Sequence, residues 1–117
     1  MKTIVITGAS RGLGAAIGER LKDENYEVIG IARKPPENPS FNILACDVTD
    51  ADQVKGAFRE IRQSKKQLYG LINAAGIASM NLSLTTPPET FQKLMSVNLL
   101  GSIYCAQQAG KIMAKQK

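Results

Sequence analysis

The sequence predicts an α/β protein built on a doubly wound parallel sheet. Three observations carry that expectation. Strand-like and helix-like patterns alternate from the first residue. The strand-like runs are short, β-branched and apolar on successive positions, as strands covered on both faces must be. A glycine-rich turn joins the first strand directly to the first helix.

Thr3-Ile4-Val5-Ile6-Thr7 reads as the first strand and runs straight into Gly8. Leu13, Ala16, Ile17 and Leu21 recur at spacings of three and four, marking one face of a helix that fades near Asn25. Glu27 to Ala32 reads as a second buried strand. The stretch from Lys34 to Ser40 holds Pro35, Pro36 and Pro39 and must be a loop. Phe41 to Cys46 is a third strand, and Thr49 or Asp50 then caps a helix with Val54, Ala57, Phe58 and Ile61 as its apolar stripe.

Leu68 to Ile72 forms a fourth strand that ends at Asn73-Ala74-Ala75-Gly76. After a polar loop, Thr86-Pro87-Pro88-Glu89 is a capping box with proline at the first helical position, and Phe91, Leu94 and Met95 supply that helix's buried face. A last helical stretch runs through Ile103, Ala106 and Met113 to the end. Right-handed crossovers then place the first strand in the middle of the sheet. With no linker and no repeat of fixed period, residues 1–117 make one domain.

Composition narrows the function classes. The chain is 44% hydrophobic and 21% charged, a globular balance. No apolar run approaches the ~20 residues a membrane span needs. The amino terminus lacks the long apolar core of a secretory signal, so a cytoplasmic location is expected. Cys46 and Cys105 sit among apolar neighbours outside any C-x-x-C pair and read as reduced, packed thiols. There is no histidine, which removes Ser-His-Asp and Cys-His nucleophile systems and leaves no metal site in view. The net charge is +5. Lys22, Lys55, Arg59, Arg62, Lys65, Lys66, Lys111 and Lys115 are scattered, mostly where helices face solvent, so neither nucleic acid nor a membrane is expected as a partner. Arg11, Arg33 and Lys34 stand apart from that set.

Thr7-Gly8-Ala9-Ser10-Arg11-Gly12-Leu13-Gly14 links the first strand to the first helix. Gly8 permits a sharp exit with positive φ, Gly12 lets the backbone approach a diphosphate, and Gly14 lets the helix pack against the sheet. The helix amino terminus offers unpaired N–H groups to the anion. No Gly-Lys-Ser/Thr follows, which excludes the ATPase type of phosphate loop. A dinucleotide site for NAD places an acid at the end of the second strand; here that position reads Ala32-Arg33-Lys34. A guanidinium suits a 2′-phosphate, with Arg11 adding a second charge, so NADP(H) is the expected cofactor. Asp47 is placed either to accept from an adenine amino group, with Val48 against the ring, or to serve as an early helix cap.

Thr7-Gly8-x-x-x-Gly12-x-Gly14, Asp47-Val48, Asn73-Ala74-Ala75-Gly76 and Val97-Asn98 resemble, in order and spacing across the whole chain, the amino-terminal half of a short-chain dehydrogenase/reductase of the NADP-preferring kind. The resemblance implies a Rossmann-type fold. It implies that Asn73 braces the sheet while Ala74, Ala75 and Gly76 flank the nicotinamide ribose. It also implies that Asn98 is the catalytic asparagine, kinking a long helix and helping to hold a proton-relay water.

The family's serine and its Tyr-x-x-x-Lys pair have no counterpart. Four positions after Tyr26, Tyr69 and Tyr104 stand Gly30, Asn73 and Gln108, and Ser83, Ser96 and Ser102 come too early. Family members are about twice as long, so the expectation is an oxidoreductase fragment, inactive alone. Its parent moves a hydride between NADP(H) and a carbonyl or alcohol carbon of a small molecule. The alternative is a non-catalytic NADP(H)-binding module or interaction partner; a methyltransferase would want an acid where Ala32 or Arg33 stands. The resemblance further implies a homo-oligomer assembled through the helix near Asn98, and a loop from Ile77 to Thr86 that gives one wall of the substrate pocket.

Overall fold

The computed structural model describes residues 1–76 and 85–116. Four parallel strands, β1 (Lys2–Thr7), β2 (Glu27–Ala32), β3 (Asn42–Ala45) and β4 (Gln67–Asn73), form a sheet in the order β3-β2-β1-β4. The first strand is therefore internal, and residues 3–7 of it are all buried. The predicted β2 is reproduced residue for residue; β3 is shorter than the predicted 41–46 because Phe41 turns out of the sheet and Cys46 has already left it.

Alternation along β1 divides the core in two. Val5 points to the side covered by α2 (Ala51–Gln63) and α4 (Gly101–Lys115), where it joins Ile29, Ile31, Val54, Phe58, Ile61 and Cys105. Ile4 and Ile6 point to the other side, against Val28 and the half-buried Ile17 and Leu21 of α1 (Gly12–Asp23). The result is helix on both faces of one sheet.

Helix α2 follows its predicted stripe: Val54, Ala57, Phe58 and Ile61 are all buried. Its cap is Asp50, whose Oδ1 accepts from the N–H groups of Asp52 at 3.0 Å and Gln53 at 3.2 Å. The Gln53 side chain reaches further back to accept from the Asp47 N–H at 2.8 Å, while the Asp50 N–H donates to the Asp47 carbonyl at 3.0 Å, so the turn before the helix is tied to its first turn without a reciprocal box.

The other helices correct the expectation. In α1 the buried residues are Gly14 and Gly18, whereas Leu13 is 71% exposed and Ala16 is exposed. The helix lies so close to the sheet that its contact face must be small. A Cβ on Gly18 would collide with the Phe41 ring, which is wedged between Gly18 and Gly30 of β2. Of the predicted apolar face, Ile17 and Leu21 pack against the core, whereas Leu13 and Ala16 do not, and the closest contacts fall to glycines that apolar periodicity does not mark.

Helix α3 (Pro88–Met95) is capped by Pro87 with no side-chain cap, one residue later than the predicted Thr86 box. It buries nothing fully: Phe91 is 49% and Met95 54% exposed, and Leu94 is half-buried, because no strand lies beneath it among the described residues. Five residues of π-helix, Ser96–Leu100, join α3 to α4. The face α4 buries is Gly101, Cys105 and Ala109, not Ile103 and Ala106, which are exposed; Met113 is half-buried against the core. Small residues again mark the tight contact, since a Cβ on Gly101 would stand 2.7 Å from Val48 Cγ2.

At the edge of the sheet, β4 carries a bulge between its pairings Thr3↔Leu68 and Ile4↔Gly70. The extra residue, Tyr69, turns outward to stack on Tyr26 at 6.1 Å, with Lys2 Nζ 4.3 Å above its ring. The Gln116 side chain pairs with the free edge as a strand would, accepting from the Leu68 N–H at 2.7 Å and donating to the Leu68 carbonyl at 2.8 Å. Among the described residues no helix is long and apolar enough to cross a membrane.

One buried polar group ties the strand ends together. Thr7, 1% exposed at the end of β1, accepts through Oγ1 from the N–H groups of both Ala74 and Ala75 at 3.1 Å. Thr7→Val keeps the shape and leaves both donors without an acceptor, so chemical denaturation should show a loss of roughly 2–4 kcal/mol, largely restored by Thr7→Ser. Gln116→Ala removes both edge hydrogen bonds and should cost about 1–2 kcal/mol by the same measurement, with faster amide exchange at Leu68.

Candidate cofactor site

At the carboxyl ends of β1, β2 and β4 a cleft of about 740 Å³ opens. Its floor is the glycine loop. The Gly8 and Ala9 N–H groups both donate to the Ile31 carbonyl, at 2.9 and 3.3 Å, which folds the loop back over β2. Gly8 has φ +67°, and a Cβ there would lie 2.7 Å from Ala75 Cα. Its glycine is thus required twice, by conformation and by the turn after β4 that crosses it. A Cβ on Gly14 would collide with the Gly8 carbonyl oxygen, so this glycine serves the helix-to-loop contact rather than the helix-to-sheet contact expected. Gly12, at φ +62°, differs from both: a Cβ there would meet nothing within 4 Å, because it faces the open cleft.

Helix α1 starts at Gly12 with Arg11 as its cap, in extended conformation and with no side-chain hydrogen bond to the first turn. The first-turn N–H groups are therefore directed into the cleft without a capping acceptor, and the first turn carries no acidic residue. An open cradle above Gly12 and an uncapped helix amino terminus fit a diphosphate.

Twelve of the sequence-selected residues line this one cleft: Gly8, Ser10, Arg11, Gly12, Leu13, Gly14, Arg33, Asp47, Val48, Ala74, Ala75 and Gly76. They come from four separate stretches of chain, brought together by the strand order. Three do not line it. Lys34 lies one residue beyond Arg33, past the end of β2. Asn73 instead donates through Nδ2 to the Ser102 carbonyl at 3.3 Å, tying β4 to α4. Asn98 sits within the π-helical segment, and its Oδ1 would be 3.3 Å from a Cβ on Gly76, so its side chain stands against the cleft's last predicted residue.

Six further lining residues were not foreseen: Ile31, Cys46, Thr49, Lys93, Ser96 and Val97. Cys46 and Thr49 adjoin predicted positions, and Ile31 lies two residues before Arg33. Lys93, Ser96 and Val97 belong to α3 and the π segment, whose packing no periodicity in the sequence reveals.

Among the described residues Asp47 is the cleft's one carboxylate. Its Oδ1 accepts from the Thr49 N–H at 3.0 Å and the Thr49 hydroxyl at 2.7 Å. Those hydrogen bonds, aided by the charge of Arg33, hold the carboxyl below its ordinary pKa and keep it ionised. Asp47 therefore shapes the turn that leads to the Asp50 cap and is not itself the cap. Behind it, burial and the neighbouring carboxylates push the Cys46 thiol up to about 11, and burial pushes Cys105 to about 12. Both are buried, free thiols. Among the described residues no group of His, Cys, Asp and Glu could hold a metal ion.

Comparison with known proteins places this geometry. Residues 2–117 match the family model described as short chain dehydrogenase. The chain is 29% identical over 116 residues to the 3-oxoacyl-[acyl-carrier-protein] reductase MabA of Mycobacterium bovis, covering 99% of this chain and 47% of that protein. It is 32% identical over 123 residues to carbonyl reductase family member 4 of Xenopus laevis, covering 99% of this chain and 52% of that one. The chain thus spans about half the length of these relatives.

Among solved structures, the ligand-free aldohexose dehydrogenase of Thermoplasma acidophilum superposes with a TM-score of 0.93 at 33% identity, over 99% of this chain and 46% of that one. ElxO with NADP bound matches with a TM-score of 0.88 at 28% identity, over 97% of this chain and 51% of that one. A short chain dehydrogenase from Leptospira borgpetersenii with bound NAD+ also gives 0.88, at 25% identity over 95% of this chain and 45% of that one. With a family model matched over residues 2–117, and a parallel sheet in the order β3-β2-β1-β4 flanked by helices, the chain belongs to the short-chain dehydrogenase family.

Proposed function

We propose that this chain supplies the cofactor site of an NADP(H)-dependent oxidoreductase acting on a carbonyl or alcohol carbon of a small molecule. The observation that carries the choice of cofactor is Arg33. It lines the glycine-loop cleft from the end of β2, where a site for NAD would present an acid to the ribose 2′-hydroxyl. The neighbours alone do not decide, since ElxO carries NADP and the Leptospira protein NAD+.

In this reading the uncapped N–H groups of α1 take the diphosphate over Gly12, while Arg33, with Arg11 and Lys34 beside it, takes the 2′-phosphate. Asp47 accepts the adenine amino group on Oδ2, because Thr49 occupies Oδ1, and Val48 packs on the ring. Ala74, Ala75 and Gly76 flank the nicotinamide ribose, with Asn73 fixing their strand to α4. Asn98, beside Gly76, holds a proton-relay water at the reacting end. When bound, NADP(H) supplies the hydride chemistry; the protein's part is orientation and charge.

These 117 residues contain no Tyr-x-x-x-Lys, so the acid/base on the substrate oxygen is not among them and the chain alone is proposed to bind without turnover. The expected loop from Ile77 to Thr86 lies, up to residue 84, outside the described residues. The exposed apolar positions Phe91, Met95, Leu99, Leu100 and Ile103 fall along α3, the π segment and the start of α4, which favours assembly into a homo-oligomer there.

Direct titration tests the cofactor choice. Arg33→Ala should weaken NADPH binding by roughly 10–100-fold and NADH binding by less than about threefold, as expected for one lost bidentate phosphate contact. Equal affinity of the unaltered protein for the two cofactors would overturn the assignment. Gly12→Ala should behave differently. The positive φ costs about 1 kcal/mol of stability, and the new methyl enters the diphosphate cradle, so both cofactors should weaken together, by at least about tenfold.

A further inference from the structure

The eight cations read from the sequence as scattered are not scattered in the fold. Five of them, Lys55, Arg59 and Arg62 from α2 with Lys111 and Lys115 from α4, line a single groove of about 210 Å³ where the two helices pack side by side. Phe58 and Ile112 close it on the core side. Among the described residues no carboxylate lines this groove, and none of the five cations is held in an ion pair. The two ion pairs that do form, Arg20–Glu24 and Lys66–Glu27, use other residues. The groove shares no lining residue with the cofactor cleft.

The spacing makes this arrangement unfavourable unless something answers it. Lys55 and Arg59 stand four apart on α2, Arg59 and Arg62 three apart, and Lys111 and Lys115 four apart on α4. Each is a like-charge pair on one helix face and is repulsive. Packing the helices side by side adds repulsion between them. Arg62 and Lys115 recover part of this from the carboxyl ends of their helices, where a cation is favourable. Lys55, Arg59 and Lys111 have no such compensation.

We propose that this groove binds a small polyanion carrying at least two phosphate or carboxylate groups. Its volume suits a compact anion, and five exposed cations converge on it from two walls, so an anion carrying several charges answers more of their mutual repulsion than a single charge can. This proposal does not rest on the cofactor assignment.

Tripolyphosphate is the probe, titrated calorimetrically into the protein at low salt and again at physiological salt. Two double variants separate the possible sites: Arg59→Gln with Lys111→Gln in the groove, and Arg11→Gln with Arg33→Gln in the cleft. The expected result is saturable binding with one component that falls at least tenfold in the groove pair, changes less than twofold in the cleft pair, and weakens with salt; a second component lost in the cleft pair alone belongs to the cofactor's phosphate site. Because all four residues are exposed, the variants should fold, and circular dichroism of each confirms it. No saturable binding at millimolar probe, or loss in the cleft pair with none in the groove pair, would overturn the proposal. So would tighter binding at the groove of an acidic peptide or a single-stranded oligonucleotide than of tripolyphosphate, since a macromolecular partner would then be the occupant.

Discussion

The rest of the structure depends on one junction, where the end of β1 passes beneath the turn that follows β4. Thr7 accepts from two successive backbone donors of that turn, and Gly8 lies directly under Ala75 with no room for a side chain. A hydroxyl with two lone pairs is the smallest group that can satisfy both N–H groups inside a buried site. A carboxylate there would add a charge with no partner, and an apolar residue would orphan both donors. Because the junction fixes where both strands end, it also fixes where the glycine loop begins and how far Ala74 to Gly76 project over it. The cleft is a consequence of that crossing.

The second constraint is distance. Gly14 against the Gly8 carbonyl, Gly18 and Gly30 around the Phe41 ring, and Gly101 against Val48 are all places where one element approaches another too closely for a methyl group. They bring α1 down onto the loop and the start of α4 down onto the segment that carries Asp47 and Val48. The spacing of the cleft walls is therefore set at these glycines: Gly14 abuts backbone, and Gly18, Gly30 and Gly101 abut packed side chains. Contacts this close leave little room to relax, which suits the fixed array of N–H groups proposed for the site.

This explains which parts of the molecule were legible in the sequence. The strands, the strand order and the helix α2 follow from patterns of large apolar residues and from one capping aspartate, and those signals are local. The glycine loop was legible because its residues are adjacent, and the other cleft segments because they match a family pattern in order. The faces of α1 and α4 were only partly legible, because the residues fully buried there are Gly14 and Gly18 and Gly101, Cys105 and Ala109, which hydrophobic periodicity scores weakly. Lys93 and Val97 could not be seen because their place on the cleft depends on how α3 and the π segment are brought to the segments that follow β3 and β4, a purely tertiary fact. The convergence of Arg59 with Lys111 was hidden in the same way, by fifty residues of intervening chain.

Electrostatics inside the cleft completes the argument for a phosphate beside Arg33. A carboxylate near a guanidinium ordinarily claims it as a bidentate partner and leaves little for a ligand. Asp47 is near enough to feel the charge of Arg33, yet the two form no ion pair among the described residues. The reason is geometric. Thr49 takes Oδ1 with both its N–H and its hydroxyl and so turns the carboxylate toward its own loop. Asp47 thereby stays ionised through hydrogen bonds that Arg33 does not supply. The guanidinium keeps its donors, and a second anion entering the cleft meets an unpaired cation. The Asx turn at Asp47 and Thr49, which looks like simple loop chemistry, is what keeps available the arginine proposed to select the cofactor.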